Sequence, residues 1–203
     1  MEIYIIRHGQ TVWNKKRKLQ GSTDIELTEE GKRLAVLTGQ GLKGVTFDKV
    51  FSSPLKRAHE TAKLIHENTN VSIETDERIK EVSFGEYEGM NVEEMLNDET
   101  CGFYYFFEKP ELYRPAEHGE SLEEVILRGK EFIHDKILPL EGKAERVMIV
   151  AHGAMNKALL VTMLGRELKD FWKGNLQKNL GVSIVELKEG KFSLIQDSVS
   201  FCE

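Results

Sequence analysis

Two stretches of the chain carry the same chemistry. IYIIRHG (Ile3–Gly9) and VMIVAHG (Val147–Gly153) each run an apolar, β-branched segment into a histidine followed by a glycine. An imidazole so placed can attack an electrophile, move a proton or donate to an anion. Arg7, beside His8, narrows the choice, because a guanidinium is a permanent cation whose forked donors match a phosphate or a carboxylate. A second guanidinium, Arg57, follows another short apolar run, Lys49–Ser52. Two arginines and two histidines brought together make an anion site, and fixed positive charge of that kind disfavours a divalent cation, so no metal is expected.

Other phosphate chemistries lack their residues. A cysteine nucleophile with an arginine six residues later is absent, since Phe107 holds that interval after Cys101. Asp24–Thr28 (DIELT) faintly resembles an aspartyl-phosphate motif, but it follows QGST rather than a buried strand and reads as loop. No G-x-x-x-x-G-K-[ST] loop occurs, which counts against nucleotide hydrolysis of that class.

The elements that must position these groups follow from periodicity. Strand-length apolar runs are Glu2–Ile6, Lys49–Ser52, Val147–Ala151, Val182–Leu187 and Phe192–Ile195. Helical signals lie between the first four. Thr28 reads as an N-cap with acids in the first turn behind it, and Pro54 as the first residue of the next helix. Ser121 and Glu124 form a capping-box pattern before a helix expected to bury Leu122, Val125, Ile126, Phe132, Ile133 and Ile137. A further helix is expected after Gly153, and Lys188–Lys191 as a hairpin turn.

Alternating strands and helices predict an α/β three-layer sandwich: a mostly parallel central sheet, helices on both faces and an antiparallel edge from the closing hairpin. The alternation breaks between about residues 90 and 119, read as a small helical cap insertion bearing the aromatic run Phe103–Phe107 (FYYFF). No repeat or linker divides residues 1–203, so a single domain is expected. In such sheets ligands bind outside the carboxyl ends of the strands. If the two histidine-bearing strands are neighbours, both imidazoles face one pocket.

Composition sets outer bounds. With 28 Lys and Arg against 34 Asp and Glu the net charge is -6, which leaves no broad basic surface for nucleic acid or anionic lipid. MEIYII opens no signal peptide, no membrane span is visible, and two widely spaced cysteines suit a reducing, cytoplasmic compartment. An exposed sheet edge or an apolar helix face could support a homodimer.

The motifs taken together resemble the histidine phosphatase superfamily, in its phosphoglycerate mutase-like branch. The resemblance runs through Arg7–Thr11 with Asn14, Leu19–Asp24, Leu27–Gly31, Ser52–Ala58 with Thr61, Glu81–Gly89, Gly119–Ser121 and Val150–Gly153, in the family's order. It implies that His8 is the nucleophile that becomes phosphorylated. It implies that Arg7, Arg57 and His152 clamp the phosphoryl oxygens with help from Asn14, and that Glu81 is the proton donor to the leaving group. Gln20, Gly21, Gly153, Glu120 and Ser121 would line the substrate side. Without the resemblance Glu81 reads as a surface acid among Glu77, Arg78 and Lys80.

The chemistry agrees with those types. Phosphoryl transfer spreads charge over three equatorial oxygens, so positioned cations matter more than reactive groups. His8 must keep one nitrogen unprotonated, which requires a backbone acceptor for the other, expected within the Arg7–Gln10 turn. The implied substrate is a small phosphate ester, hydrolysed without a cofactor. A 2,3-bisphosphoglycerate-dependent mutase is the alternative, and a phospho-ligand-binding protein without turnover the third reading. Family mutases carry a longer insertion with extra arginines; here Arg114 is alone between Asn91 and Glu120, beside aromatics. That favours a hydrolase that accepts some apolar character next to the phosphate, although the aromatics can equally be packing. His118 is a further candidate for substrate contact.

Overall fold

A computed structural model describes residues 1–67 and 70–202. Six strands, β1 (Glu2–Arg7), β2 (Lys49–Ser52), β3 (Ile73–Thr75), β4 (Arg146–Ala151), β5 (Val182–Lys188) and β6 (Lys191–Val199), form one sheet in the order β3-β2-β4-β1-β5-β6. The first four are parallel in space, and β5 runs antiparallel to both β1 and β6. The helices are α1 (Val12–Lys15), α2 (Glu29–Gly41), α3 (Lys56–Ile65), α4 (Val92–Leu96), α5 (Leu122–Phe132) and α6 (Gly153–Met163).

Strand alternation divides the interior into two cores. Ile3 and Ile5 of β1, with Val147 and Ile149 of β4, turn to the face covered by α5 and α6. Tyr4 and Ile6, with Met148 and Val150, turn to the face bearing Ala58 and Ala62 of α3 and Leu42. Both faces are covered, which is why these strands read as unbroken apolar runs. Burying each such side chain contributes about 1.5–3 kcal/mol. The hairpin between β5 and β6 turns on Glu189 (φ 53°) and Gly190 (φ 72°), the two left-handed residues that a tight antiparallel connection needs.

Several expectations need correction. β3 was not foreseen: it is three residues long, half exposed, and has no apolar run to announce it. Pro54 does not open α3, which begins at Lys56 behind Leu55, a residue with no side-chain cap. Asp24 supplies the missing acceptor from a distant loop, its Oδ1 2.8 Å from the Lys56 N–H. The Ser121–Glu124 capping box is present, but α5 stops at Phe132 and continues as a wide π-helical turn over Ile133–Ile137. Ile126 is only half-buried.

The 90–119 insertion is less helical than expected. It holds α4, a short 3-10 turn at Pro110–Leu112 and otherwise irregular turns. Its aromatic run fixes it to the body of the protein. Phe103 and Phe106 are buried and stacked, with ring centroids 4.6 Å apart, and Phe84, Tyr113 and Trp172 pack edge-on around them.

Candidate active site

Parallel pairing brings the two histidine motifs together. β1 and β4 are neighbours with Arg7 opposite Ala151, so the next residue on each strand, His8 and His152, leaves the sheet at the same level. Their ring centroids lie 5.2 Å apart. Both are buried, and Ala151 O accepts from the His8 N–H at 3.0 Å. His8 Nδ1 lies 2.7 Å from Gly9 O. A carbonyl only accepts, so the proton sits on Nδ1 and Nε2 keeps its lone pair. The acceptor thus lies inside the Arg7–Gln10 turn, as expected. Burial, then the charges of Arg57 and Arg7, hold His8 well below the usual histidine range. His152 is depressed likewise, by burial first and then by Arg57. Both rings are neutral at pH 7.

The glycine after His8 serves a purpose other than a sharp turn. A Cβ on Gly9 would sit 2.9 Å from Gly31 O at the start of α2, so the glycine permits close docking of that helix.

Both guanidiniums are held from behind. Arg7 donates through Nη1 to Gln177 O at 2.7 Å. Arg57, fully buried, donates to Thr23 O at 2.8 Å and Gly21 O at 2.7 Å. Burial pushes Arg57 down to about 10, which still leaves it charged at neutral pH. Their Nε atoms are buried without a partner among the described residues, and so is His152 Nδ1. His152 Nε2 lies 2.8 Å from Ser53 Oγ. Orphaned polar atoms of this kind are rare in native interiors, and these three belong to side chains that surround His8.

Glu81 stands at the start of α6, where Met155 N donates to Oε1 at 3.0 Å and Ala154 N to Oε2 at 3.3 Å. The half-buried carboxyl is therefore aimed by the first N–H groups of the helix that begins after His152. Arg128 steadies the segment behind it, donating to the carbonyls of Arg78, Lys80 and Glu81.

Arg7, His8, Asn14, Gln20, Gly21, Arg57, Glu81 and Gly153 line one cavity of about 630 Å³. The other three of the eleven expected site residues are not in the lining. Glu120 and Ser121 do not line it: Glu120 is committed to Arg128 at 2.9 Å and to Ser83 N at 2.7 Å, and Ser121 caps α5. His152 sits just behind the lining, in contact range of His8. The His118 side chain is 83% exposed and does not line the cavity. Of the aromatic run, Phe106 and Phe107 reach the cavity wall while Phe103 is pure packing.

Sequence reasoning also missed the residues that hold the site in shape. The Glu88 carboxylate accepts from the N–H groups of Ser22, Thr23 and Phe84 and from both hydroxyls, fixing the loop that carries Gln20 and Gly21. Gly21 (φ 56°) permits this, since a Cβ there would collide with the same carboxylate. Thr61 Oγ1 accepts from Gly9 N at 3.0 Å, and Asn179 Nδ2 donates to His8 O at 2.9 Å and Gly9 O at 3.3 Å. No local pattern marks Asn179, which lies 171 residues from His8.

A family model, the histidine phosphatase superfamily (branch 1), matches residues 3–197. The chain belongs to that superfamily. Among curated relatives, "Phosphoserine phosphatase 1" of Hydrogenobacter thermophilus is 30% identical over 200 residues, covering 98% of this chain and 93% of that protein. "2,3-bisphosphoglycerate-dependent phosphoglycerate mutase 2" of Gloeobacter violaceus is 29% identical over 95% of this chain and 89% of its own. Among solved structures, Bacillus stearothermophilus YhfR superposes with a TM-score of 0.88 at 30% identity, covering 100% of this chain and 99% of that one. This histidine phosphatase thus shares the α/β sandwich of its structural neighbours. Among its described residues no helix is long and apolar enough to cross a membrane.

Proposed function

We propose that the protein hydrolyses small phosphate monoesters through a phosphohistidine on His8. His8 Nε2 attacks phosphorus while Arg7, Arg57 and His152 take the three equatorial oxygens. The bond from phosphorus to the ester oxygen breaks, and the departing alkoxide takes a proton from the Glu81 carboxyl. Glu81 then accepts a proton from water as that water attacks the phosphohistidine, and inorganic phosphate leaves with His8 restored. Asn14, Gln20, Gly21 and Gly153 border the bound group. No step calls for a metal or a cofactor.

The observation that carries this reading is His8, with its proton fixed on Nδ1, in one cavity with Arg7 and Arg57 and 5.2 Å from the His152 ring, while Arg7 Nε, Arg57 Nε and His152 Nδ1 have no partner among the described residues. For His152 to donate from Nδ1, the Ser53 hydroxyl must donate to its Nε2, a geometry the 2.8 Å contact allows. The phosphoserine phosphatase among the relatives supports hydrolysis as the outcome, and the mutase marks the alternative. We read residues 1–203 as one domain, since both cores are built on the same sheet. The free thiols of Cys101 and Cys202 fit a cytoplasmic setting.

Two substrates test the reading: 4-nitrophenyl phosphate and 3-phosphoglycerate, each with chelator present. Hydrolysis that persists with chelator and disappears in His8→Ala is expected, with an acid-labile phosphoryl adduct on the wild-type protein. Isomerisation of 3-phosphoglycerate would favour the mutase instead. Hydrolysis surviving His8→Ala would reject the nucleophile.

A further inference from the structure

The cavity has two chemically different ends. The polar end holds His8, Arg7, Arg57 and Glu81; Arg17, Lys18, Glu93 and Asn97 add exposed polar groups to the lining, and the larger apolar share comes from Leu19, Phe84, Val92, Leu96, Trp172 and Leu176. A phosphoryl group displaces only a few waters, each about 30 Å³. Most of the 630 Å³ is therefore left for whatever the phosphate is attached to. From this we infer that the preferred substrates are phosphate monoesters of uncharged apolar alcohols, and that esters with a carboxylate close to the phosphate are disfavoured. The inference rests on the hydrolase reading above.

The positions of the cations carry it. A carboxylate two or three bonds from the ester oxygen, as in phosphoserine or 3-phosphoglycerate, would lie against the apolar wall. Burying a charge there without a partner is costly. Arg7 and Arg57 are taken up at the phosphoryl end. The other cations lining the cavity, Arg17 and Lys18, stand exposed at its mouth. Arg17 is already paired with Glu93 at 2.6 Å, and Lys18 lies over the Trp13 ring at 5.7 Å. Arg114, the insertion's one arginine, donates to Tyr113 O and does not line the cavity.

The apolar wall is also built to stay in place. Trp172 Nε1 donates to Phe106 O at 2.6 Å, binding the segment before β5 to the insertion. The indole lies within packing distance of both Phe106 and Phe107. Leu176, 61% exposed, has no evident structural duty that would explain an apolar side chain at the cavity edge. An apolar leaving group would cover it.

Alkyl esters of similar leaving-group acidity make the test clean. In the wild type, kcat/KM is expected to rise about threefold per added methylene from ethyl to hexyl phosphate. 2-Phenylethyl phosphate should exceed phosphoserine and 3-phosphoglycerate by about 100-fold. Leu176→Ala, a change at an exposed position, should shrink the ratio of 2-phenylethyl phosphate to phosphoserine about fivefold. A flat alkyl series, equal or better use of phosphoserine, or an unchanged ratio in Leu176→Ala would overturn the inference while leaving the hydrolase intact. Inactivity of the wild type on every ester, or activity surviving in His8→Ala, would instead strike the hydrolase reading itself.

Discussion

Asn179→Ala separates a residue that orients the nucleophile from one that merely packs beside it. The Asn179 amide faces three acceptors: His8 O at 2.9 Å, Gly9 O at 3.3 Å and Asn14 Oδ1 at 3.4 Å. It has only two hydrogens, and the two longer contacts are near the limit of a useful bond. At about 1 kcal/mol for an ordinary hydrogen bond, the loss of stability should be about 1–2 kcal/mol. For a chain of this length that is a fall of about 3–6 °C in Tm. The effect on rate has a different origin. Gly9 O is the acceptor that keeps the His8 proton on Nδ1, and Asn179 holds that carbonyl on its far side. Once the carbonyl is released, His8 samples the tautomer protonated on Nε2, which cannot attack, and the ring loses its alignment. A displacement approaching 1 Å costs about 100-fold, so a loss of about 10- to 100-fold in kcat is expected, with KM changed little. Stopped-flow release of 4-nitrophenol gives the phosphorylation rate, and nitrogen-15 spectra of labelled histidine report the tautomer directly. A variant that loses stability but keeps both the wild-type rate and the wild-type ring pattern would refute the positioning role.

Three other outcomes follow from the same geometry. Arg57→Lys keeps a charge but cannot hold Gly21 O and Thr23 O while also offering Nε, so kcat/KM should drop about 100-fold or more in steady-state assays. Glu88→Ala strips acceptors from three backbone N–H groups, and denaturant titration should show a loss of about 3 kcal/mol together with a raised KM as the Gln20–Thr23 loop loosens. His8 and His152 are held neutral below the ordinary histidine range, so the unfolded chain binds more protons than the folded one once pH falls below about 6.5. Stability should therefore decline as pH is lowered through that value, and His8→Ala should flatten the Tm profile there; a decline of equal slope in the variant would discount His8 as its source.

The sequence by itself determined the sandwich and every strand but β3, and it singled out the histidines and arginines expected to react. Those readings depend on local signals: apolar runs of strand length, caps at Thr28 and Ser121, and an arginine fixed beside a histidine. It did not by itself pair His8 with His152, because like motifs at strand ends meet only if the strands are neighbours, and the sheet order alone makes β1 and β4 so. Tertiary structure alone decided what surrounds them. Glu120 is expected on the substrate side, whereas Arg128 and Ser83 N engage its carboxylate, and Pro54 is expected as the first residue of α3, which instead starts at Lys56 with Asp24 of another loop accepting from its N–H. Asn179 gave no signal and Glu88, though inside the Glu81–Gly89 block, none of its role, because a hydrogen bond between residues 66 or 171 positions apart follows no periodicity. The chemical character of the cavity was equally hidden. Whether an aromatic side chain packs inward, as Phe103 does, or lines the cavity, as Phe107 does, depends on how the chain closes around it, and residue type carries no record of that closure.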